Sequence, residues 1–208
     1  MMERRIVWVP HRFNHLEPQS CDLIRLGGPN DGGYVIGRRS LDRSQSLLSL
    51  GIATEWSFDA DFLRHRRKAR YIACDRASGT AVHLLNALRQ FLSLQQWKVI
   101  SKSLSVARNF FFHVPPWNQR RKFVRRWVRG TVVDQRRDVE LNDLLALVGN
   151  ATPVFLKMDI EGGEYALIPE ITRRESARPG FFAGLCIEFH DISAQEPEFL
   201  QAIEHLQR

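Results

Sequence analysis

Three carboxylates crowd one short stretch. In FLKMDIEGGEYALIPEI (155–171) an apolar run ends at Asp159, and Glu161 and Glu164 follow around the Gly162-Gly163 pair. Neighbouring carboxylates repel unless a cation, a proton or a donor-rich ligand lies between them. The glycines let the chain bend sharply and let a ligand approach the backbone. Glu164 has a plain structural reading: at the start of the next helix its charge offsets the helix dipole. Asp159 and Glu161 have no such local reason. A second constellation, Glu188, His190 and Asp191, lies in IEFHDI. Imidazole titrates near neutrality, about pH 6.5, so His190 is the preferred proton acceptor, with Glu188 and Asp191 as neighbours that fix its tautomer. Its plain reading is a histidine satisfied at a strand end. Asp159 and Glu161 are the alternative bases. The spacing of these acids is not diagnostic of a hard cation, and no metal is expected.

The loops narrow the ligand. A phosphate cradle would carry GxxxxGK[ST], and a dinucleotide site GxGxxG after the first strand. Neither is present; the loop reads GIATEW, with a single Gly and an acid. S-adenosylmethionine has a sulfonium, an ammonium and a ribose diol but no phosphate, and it suits such acids. Asp75, ending ARYIACD, is then placed to accept the ribose hydroxyls, by analogy with the ribose-binding acid of dinucleotide folds. Asp159 falls near the ammonium or the reacting group. For each acid the plain alternative is a helix cap or a solvated loop.

The elements that must hold these residues alternate. LIRLGGPNDGGYVIG (23–37) reads as a hairpin around Asp-Gly. SLLSLGIA (46–53), ARYIACD (69–75), WKVISKSLS, PVFLKMD (153–159) and GFFAGLCIEFHDI (180–192) read as strands. Helices are expected after Thr54 as a cap, over 80–96, over Leu141–Val148, from Glu164 to Arg173, and from Pro197 to Leu206. Near-continuous apolar strands alternating with helices imply a parallel sheet covered on both faces. In such a sheet the ligand lies at the carboxyl ends of the strands, where their order reverses.

The chain has 208 residues and a hydrophobic fraction of 44%, which suits one folded domain. Residues 1–45 are expected to form an arm and hairpin, and 46–208 the sheet domain with a basic insertion at about 109–138. Within it Arg120, Arg121, Lys122, Arg125, Arg126 and Arg129 alternate with Phe123 and Trp127. Such mixing suits nucleic acid or an anionic membrane face. The preferred reading is a solvated helix over 119–129 that packs Phe123, Val124, Trp127 and Val128 on the core. The formal charge of +7 favours anionic partners only weakly. Cys21, Cys74 and Cys186 stand far apart, without a CxxC pair, and read as free thiols. No membrane span and no convincing signal peptide is present, so a cytoplasmic location is the default.

KMDIEGGEYALI resembles the Lys-(Ile/Met)-Asp-(Val/Ile)-Glu-Gly-x-Glu signature of FkbM-type methyltransferases. SLGIATEWSFDADF, NDGGYVI and IEFHDI resemble three further motifs of the same relatives, in the same order. The resemblance runs from about Leu23 to Ile192, with the basic middle outside it. It implies a Rossmann-like class I methyltransferase fold with S-adenosylmethionine as donor, acting on an oxygen of a small molecule or sugar. Carried over by position, Gly51, Ile52, Ala53 and Asp75 hold the cofactor. Asp159 joins cofactor and acceptor, and Glu161, Glu188 and His190 line the acceptor side with Asp31 and Tyr34 of the hairpin. Ala53 replaces an expected glycine and is expected to crowd the cofactor. The family's C-terminal antiparallel strands are missing from the reading, so the last strand is an apolar edge that calls for cover, for instance in a homodimer. Two alternatives stand beside this one: a methyltransferase-fold binding protein without turnover, and a methyltransferase directed to nucleic acid.

Overall fold

The structure is a computed structural model that describes residues 21–29, 32–53, 55–76, 104, 108 and 118–207. Its centre is a five-stranded sheet. The strands are β3 (Ser46–Leu50), β4 (Arg70–Cys74), β5 (Arg121–Val124), β8 (Val154–Met158) and β9 (Phe182–Ile187), in the order β5-β4-β3-β8-β9. Every pairing in this sheet is parallel. Strand order runs outward from β3 to β5 on one side and resumes with β8 and β9 on the other. The switch point is therefore the β3–β8 seam.

Alternation along each strand explains the apolar runs. Leu48, Leu50, Ile72, Leu156 and Met158 point to one face. There they meet Leu144, Leu145 and Val148 of α3 (Leu141–Val148) and Ile171 of α4 (Ile168–Ala177). Leu47, Tyr71, Ala73 and Phe155 point to the other face, against Trp56, Phe58 and Phe62 at the start and middle of α2 (Ser57–His65). A strand buried on both faces has no polar face to show. α5 (Glu196–Gln207) closes the first face beside α4. The hairpin of β1 (Leu23–Leu26) and β2 (Tyr34–Gly37) is antiparallel, as expected, and leads into the short α1 (Arg38–Arg43). β6 (Trp127–Arg129) and β7 (Asp138–Glu140) form a separate parallel pair. No helix among the described residues is long and apolar enough to cross a membrane.

Several expectations change. Residues 119–129 are not a helix: Arg121–Val124 pairs with β4 inside the main sheet, and Trp127–Arg129 forms β6. The apolar spacing fits a strand equally well, because Phe123 and Val124 pack on opposite faces. Trp127, placed on the core by the helical reading, is 45% exposed. α2 starts later than Thr54 implies, with Trp56 at its cap position and no side-chain cap. α4 starts at Ile168 with Pro169 in its first turn, so Glu164 lies in the preceding turn rather than at a helix start. The strand expected in WKVISKSLS and the helix over 80–96 fall outside the described residues.

Candidate functional site

The β3–β8 seam brings the two principal loops together. Leu50 pairs with Met158, and the Asp159 amide donates to the Leu50 carbonyl at 3.0 Å. Gly51 has φ +72°, and a Cβ there would lie 1.6 Å from the Asp159 carbonyl oxygen. Only glycine permits this approach. Ala53 also turns left-handed, at φ +46°. The turned loop directs the Ile52 and Ala53 amides onto Oδ2 of Asp75, at 2.9 and 2.5 Å. Asp75 thus fixes the loop.

A crevice of about 770 Å³ opens over these ends, lined by Gly51, Ala53, Asp75, Trp127, Asp159 and Gly162 among others. Trp127 stands on its wall, with the Arg76 and Arg129 guanidiniums each 5.5 Å from its ring centre. Cys74 lies on the crevice wall, and burial pushes its thiol up to about 12, so it is no nucleophile near neutrality.

A smaller cavity of about 290 Å³ adjoins it, sharing Ala53, Asp159 and Glu161. Its wall carries Tyr34, Phe58, Lys157, Glu188 and His190. The Tyr34 hydroxyl lies 2.8 Å from Glu188 Oε2 and 3.0 Å from Asp159 Oδ2, donating between the two carboxylates. Burial and both carboxylates hold the phenol well above its usual range. Lys157, 4% exposed, donates to the Gly51 carbonyl at 2.6 Å and to Asp159 Oδ2 at 3.3 Å. This ammonium ties both loops of the switch point.

Glu164 is fully buried, and its Oε1 accepts from the Ile160 amide and meets His190 Nδ1, each at 2.9 Å. The dipole reading of Glu164 therefore gives way to a direct contact with the imidazole. Glu164 also replaces Glu188 and Asp191 as the group that sets the ring's orientation. His190 Nε2 then faces Asp159 Oδ1 at 3.6 Å and Glu161 Oε2 at 3.7 Å. Burial opposes charge on the imidazole. Glu164, then Glu161 and Asp159, outweigh it and hold His190 above its usual range. The Tyr165 hydroxyl anchors the loop by donating to the His190 carbonyl at 2.6 Å.

Of the residues expected at the site, Asp159, Glu161, Glu188, His190 and Tyr34 converge on the small cavity, and Gly51, Ala53 and Asp75 line the crevice. Ile52 lies on the small cavity rather than on the crevice. Asp31 lies outside the described residues. Sequence reasoning missed Lys157, Glu164 as an imidazole partner, and Asp59. Asp59 is 1% exposed under the small cavity and accepts from the Tyr71 hydroxyl at 2.9 Å. Burial raises its carboxyl above the usual range, against the pull of nearby Lys157. The overlooked signal was a lysine inside a continuous apolar strand, which demands a carboxylate and a carbonyl to receive it.

Asp159, Glu188 and His190 each place one ligand atom within 4.8 Å of the others, so among the described residues they form a group that could hold a metal. No curated protein and no solved structure matches the chain. A family model for the methyltransferase FkbM domain matches residues 56–208, which include β5 and its basic flank. The chain therefore belongs to the FkbM methyltransferase domain family.

Proposed function

We propose that the protein is an S-adenosylmethionine-dependent methyltransferase acting on a hydroxyl oxygen of a small molecule or sugar. The observation that carries this reading is the pair of adjoining cavities at the β3–β8 switch point, sharing Ala53, Asp159 and Glu161. Methyl transfer needs a donor and an acceptor meeting in line, and two chambers with a common wall suit that need.

The crevice fits the donor by its chemistry. Asp75 and Asp159 are acceptors suited to ribose hydroxyls and an ammonium, and Trp127, already stacked with Arg76 and Arg129, stands on the same wall. Gly51 keeps the floor free of a side chain. Bound there, S-adenosylmethionine supplies an electrophilic methyl group on a positively charged sulfur. The chain's own residues do the rest. Tyr34, Glu188 and Asp159 orient the acceptor hydroxyl. The group formed by Asp159, Glu161 and His190, held by Glu164, takes its proton. The small cavity, about 290 Å³, has room for one sugar-sized group.

Titration calorimetry with S-adenosylmethionine tests the reading. One saturable site is expected, weakened at least about tenfold in Asp75→Ala while thermal unfolding stays cooperative, because the loop loses its anchor and the ribose its acceptor. Absence of saturable binding would leave only the scaffold alternative, whereas an Asp75→Ala protein that binds like the parent would remove Asp75 from the donor site.

A further inference from the structure

We infer that Asp159, Glu188 and His190 form a binding site for one divalent cation, at the wall of the small cavity. Its role in catalysis rests on the methyltransferase reading above; the binding itself does not.

The three residues come from the ends of adjacent strands, β8 and β9, which sequence spacing alone does not bring together. One ligand atom from each lies within 4.8 Å of the others. Ligands of one divalent ion stand about 2.0–2.4 Å from it, so their mutual separations fall within about 4.8 Å. The imidazole is prepared for such a bond. Glu164 takes Nδ1 at 2.9 Å, which turns Nε2 toward Asp159 Oδ1 and Glu161 Oε2. A buried carboxylate behind a ligating histidine orients the ring and makes it a stronger ligand. The separations of 3.6 and 3.7 Å are too long for hydrogen bonds. With Nδ1–H given to Glu164, a neutral ring turns its Nε2 lone pair toward these carboxylate oxygens, and a metal ion there takes the place that a proton on Nε2 would otherwise hold.

The charge balance points the same way. Oε2 of Glu164 is buried and has no hydrogen-bond partner among the described residues. Asp159, Glu161, Glu164 and Glu188 thus gather around one imidazole, with Lys157 engaging only Oδ2 of Asp159. Tyr34 also donates between Glu188 Oε2 and Asp159 Oδ2, which leaves Asp159 Oδ1 turned to His190. Asp159 and His190 are about a quarter exposed, so an ion there has positions open to the cavity. Two carboxylates and one imidazole suit Mn²⁺ or Zn²⁺ better than Ca²⁺. An acceptor hydroxyl on such an ion becomes more acidic, and Glu161 remains to take its proton.

Mn²⁺ is the probe. Full-length protein freed of metal by chelation is titrated with Mn²⁺ and followed by loss of the free-ion electron paramagnetic resonance signal. One bound ion per chain is expected. Pulsed spectra should show coupling to one imidazole nitrogen, a signature readable on the unmodified protein. His190→Gln should abolish that coupling, and His190→Gln and Glu188→Gln should each weaken binding at least about tenfold. Glu164→Gln should weaken it less, with the nitrogen coupling retained. No saturable Mn²⁺, bound Mn²⁺ without nitrogen coupling, or affinity unchanged in both ligand variants would overturn the site. S-adenosylmethionine binding, measured separately, reports on the methyltransferase reading, so the two can fail independently.

Discussion

The two ends of the central sheet carry opposite charge and use it differently. At the amino ends, Arg64, Arg66, Arg67, Lys68, Arg70 and Arg120 line a hollow of about 650 Å³. At the carboxyl ends, Asp75, Asp159, Glu161 and Glu188 line the crevice and the small cavity. Helices that follow parallel strands place their amino termini near the strand carboxyl ends and their carboxyl termini near the strand amino ends. Their dipoles favour anions at the first and cations at the second. That rule accounts for the signs of both ends, so sign alone marks neither as functional. Satisfaction of the charges separates them. Arg66 donates twice to the Ser44 carbonyl, Arg70 to that of Leu147, and Arg64 pairs with Asp61. These three of the six cations have local acceptors. Asp159, Glu161, Glu188 and His190 instead converge on one space. Charge that is locally matched supports the scaffold, whereas converging charge, here shared with Tyr34 and Lys157, is the arrangement a ligand site would use.

The largest expected effect comes from forcing the converging loops apart. Gly51→Ala puts a Cβ 1.6 Å from the Asp159 carbonyl, at φ +72°. Left-handed strain and overpacking together cost about 3 kcal/mol or more. Denaturant unfolding should show that loss, and calorimetry should show donor binding gone. A variant that keeps parental affinity would mean the two loops do not need their contact to form the crevice.

A smaller effect is expected at the crevice's outer wall. Asp138 accepts from the Val133 and Asp134 amides and from Arg129, which carries the β6–β7 pair and Trp127. The Asp134 amide first, then that of Val133 and Arg129, outweigh burial and hold its carboxyl below the usual range. A carboxyl depressed in the folded state contributes stability above its unfolded value, about 3.9, and loses it as pH falls through the lower folded value. Asp138→Asn should therefore lower the melting temperature at pH 7, and the gap to the parent should close below about pH 4. A gap independent of pH would mean that shape, not charge, holds this wall.

How much of this was legible follows from the same physics. Parallel strands buried on both faces declare themselves as apolar runs, so β3, β4 and β8 were readable, and the partly buried β9 was readable from its apolar run as well. Leu141–Val148 was readable to the residue, as a short apolar helix with Asn150 near its end. Arg121–Val124 was not. It is short, basic and at the sheet edge, and its alternation also fits a helix. At the site, Asp159, Glu161, Glu188 and His190 were legible because polar groups end apolar strands. Glu164 was not, since its contact with His190 spans 26 residues and requires the β8 and β9 ends to be adjacent. Types and spacing locate a site along the chain, but which carboxylate orients which imidazole is a matter of tertiary contact.

At the amino ends, Arg66→Ala should cost about 1 kcal/mol through loss of its hydrogen bonds to the Ser44 carbonyl, at 2.8 and 3.0 Å. Donor affinity should not change. A drop in affinity without a drop in stability would join the two ends energetically and break the division drawn above.

The smallest effect has the opposite sign. Ala53 holds φ +46°, a conformation that an L side chain adopts at a cost of about 1 kcal/mol. The family resemblance places a glycine here, and the residue lines both cavities. Ala53→Gly removes the strain of the folded loop but adds freedom to the unfolded chain, which offsets part of the gain. A net stabilisation of about 0.5 kcal/mol is expected from denaturant unfolding. The same change removes a methyl group from the shared wall. If that methyl crowds the donor, affinity for S-adenosylmethionine should rise along with stability. If affinity stays constant while stability rises, the alanine costs the fold but not the ligand, and its place in the loop is a matter of backbone conformation alone.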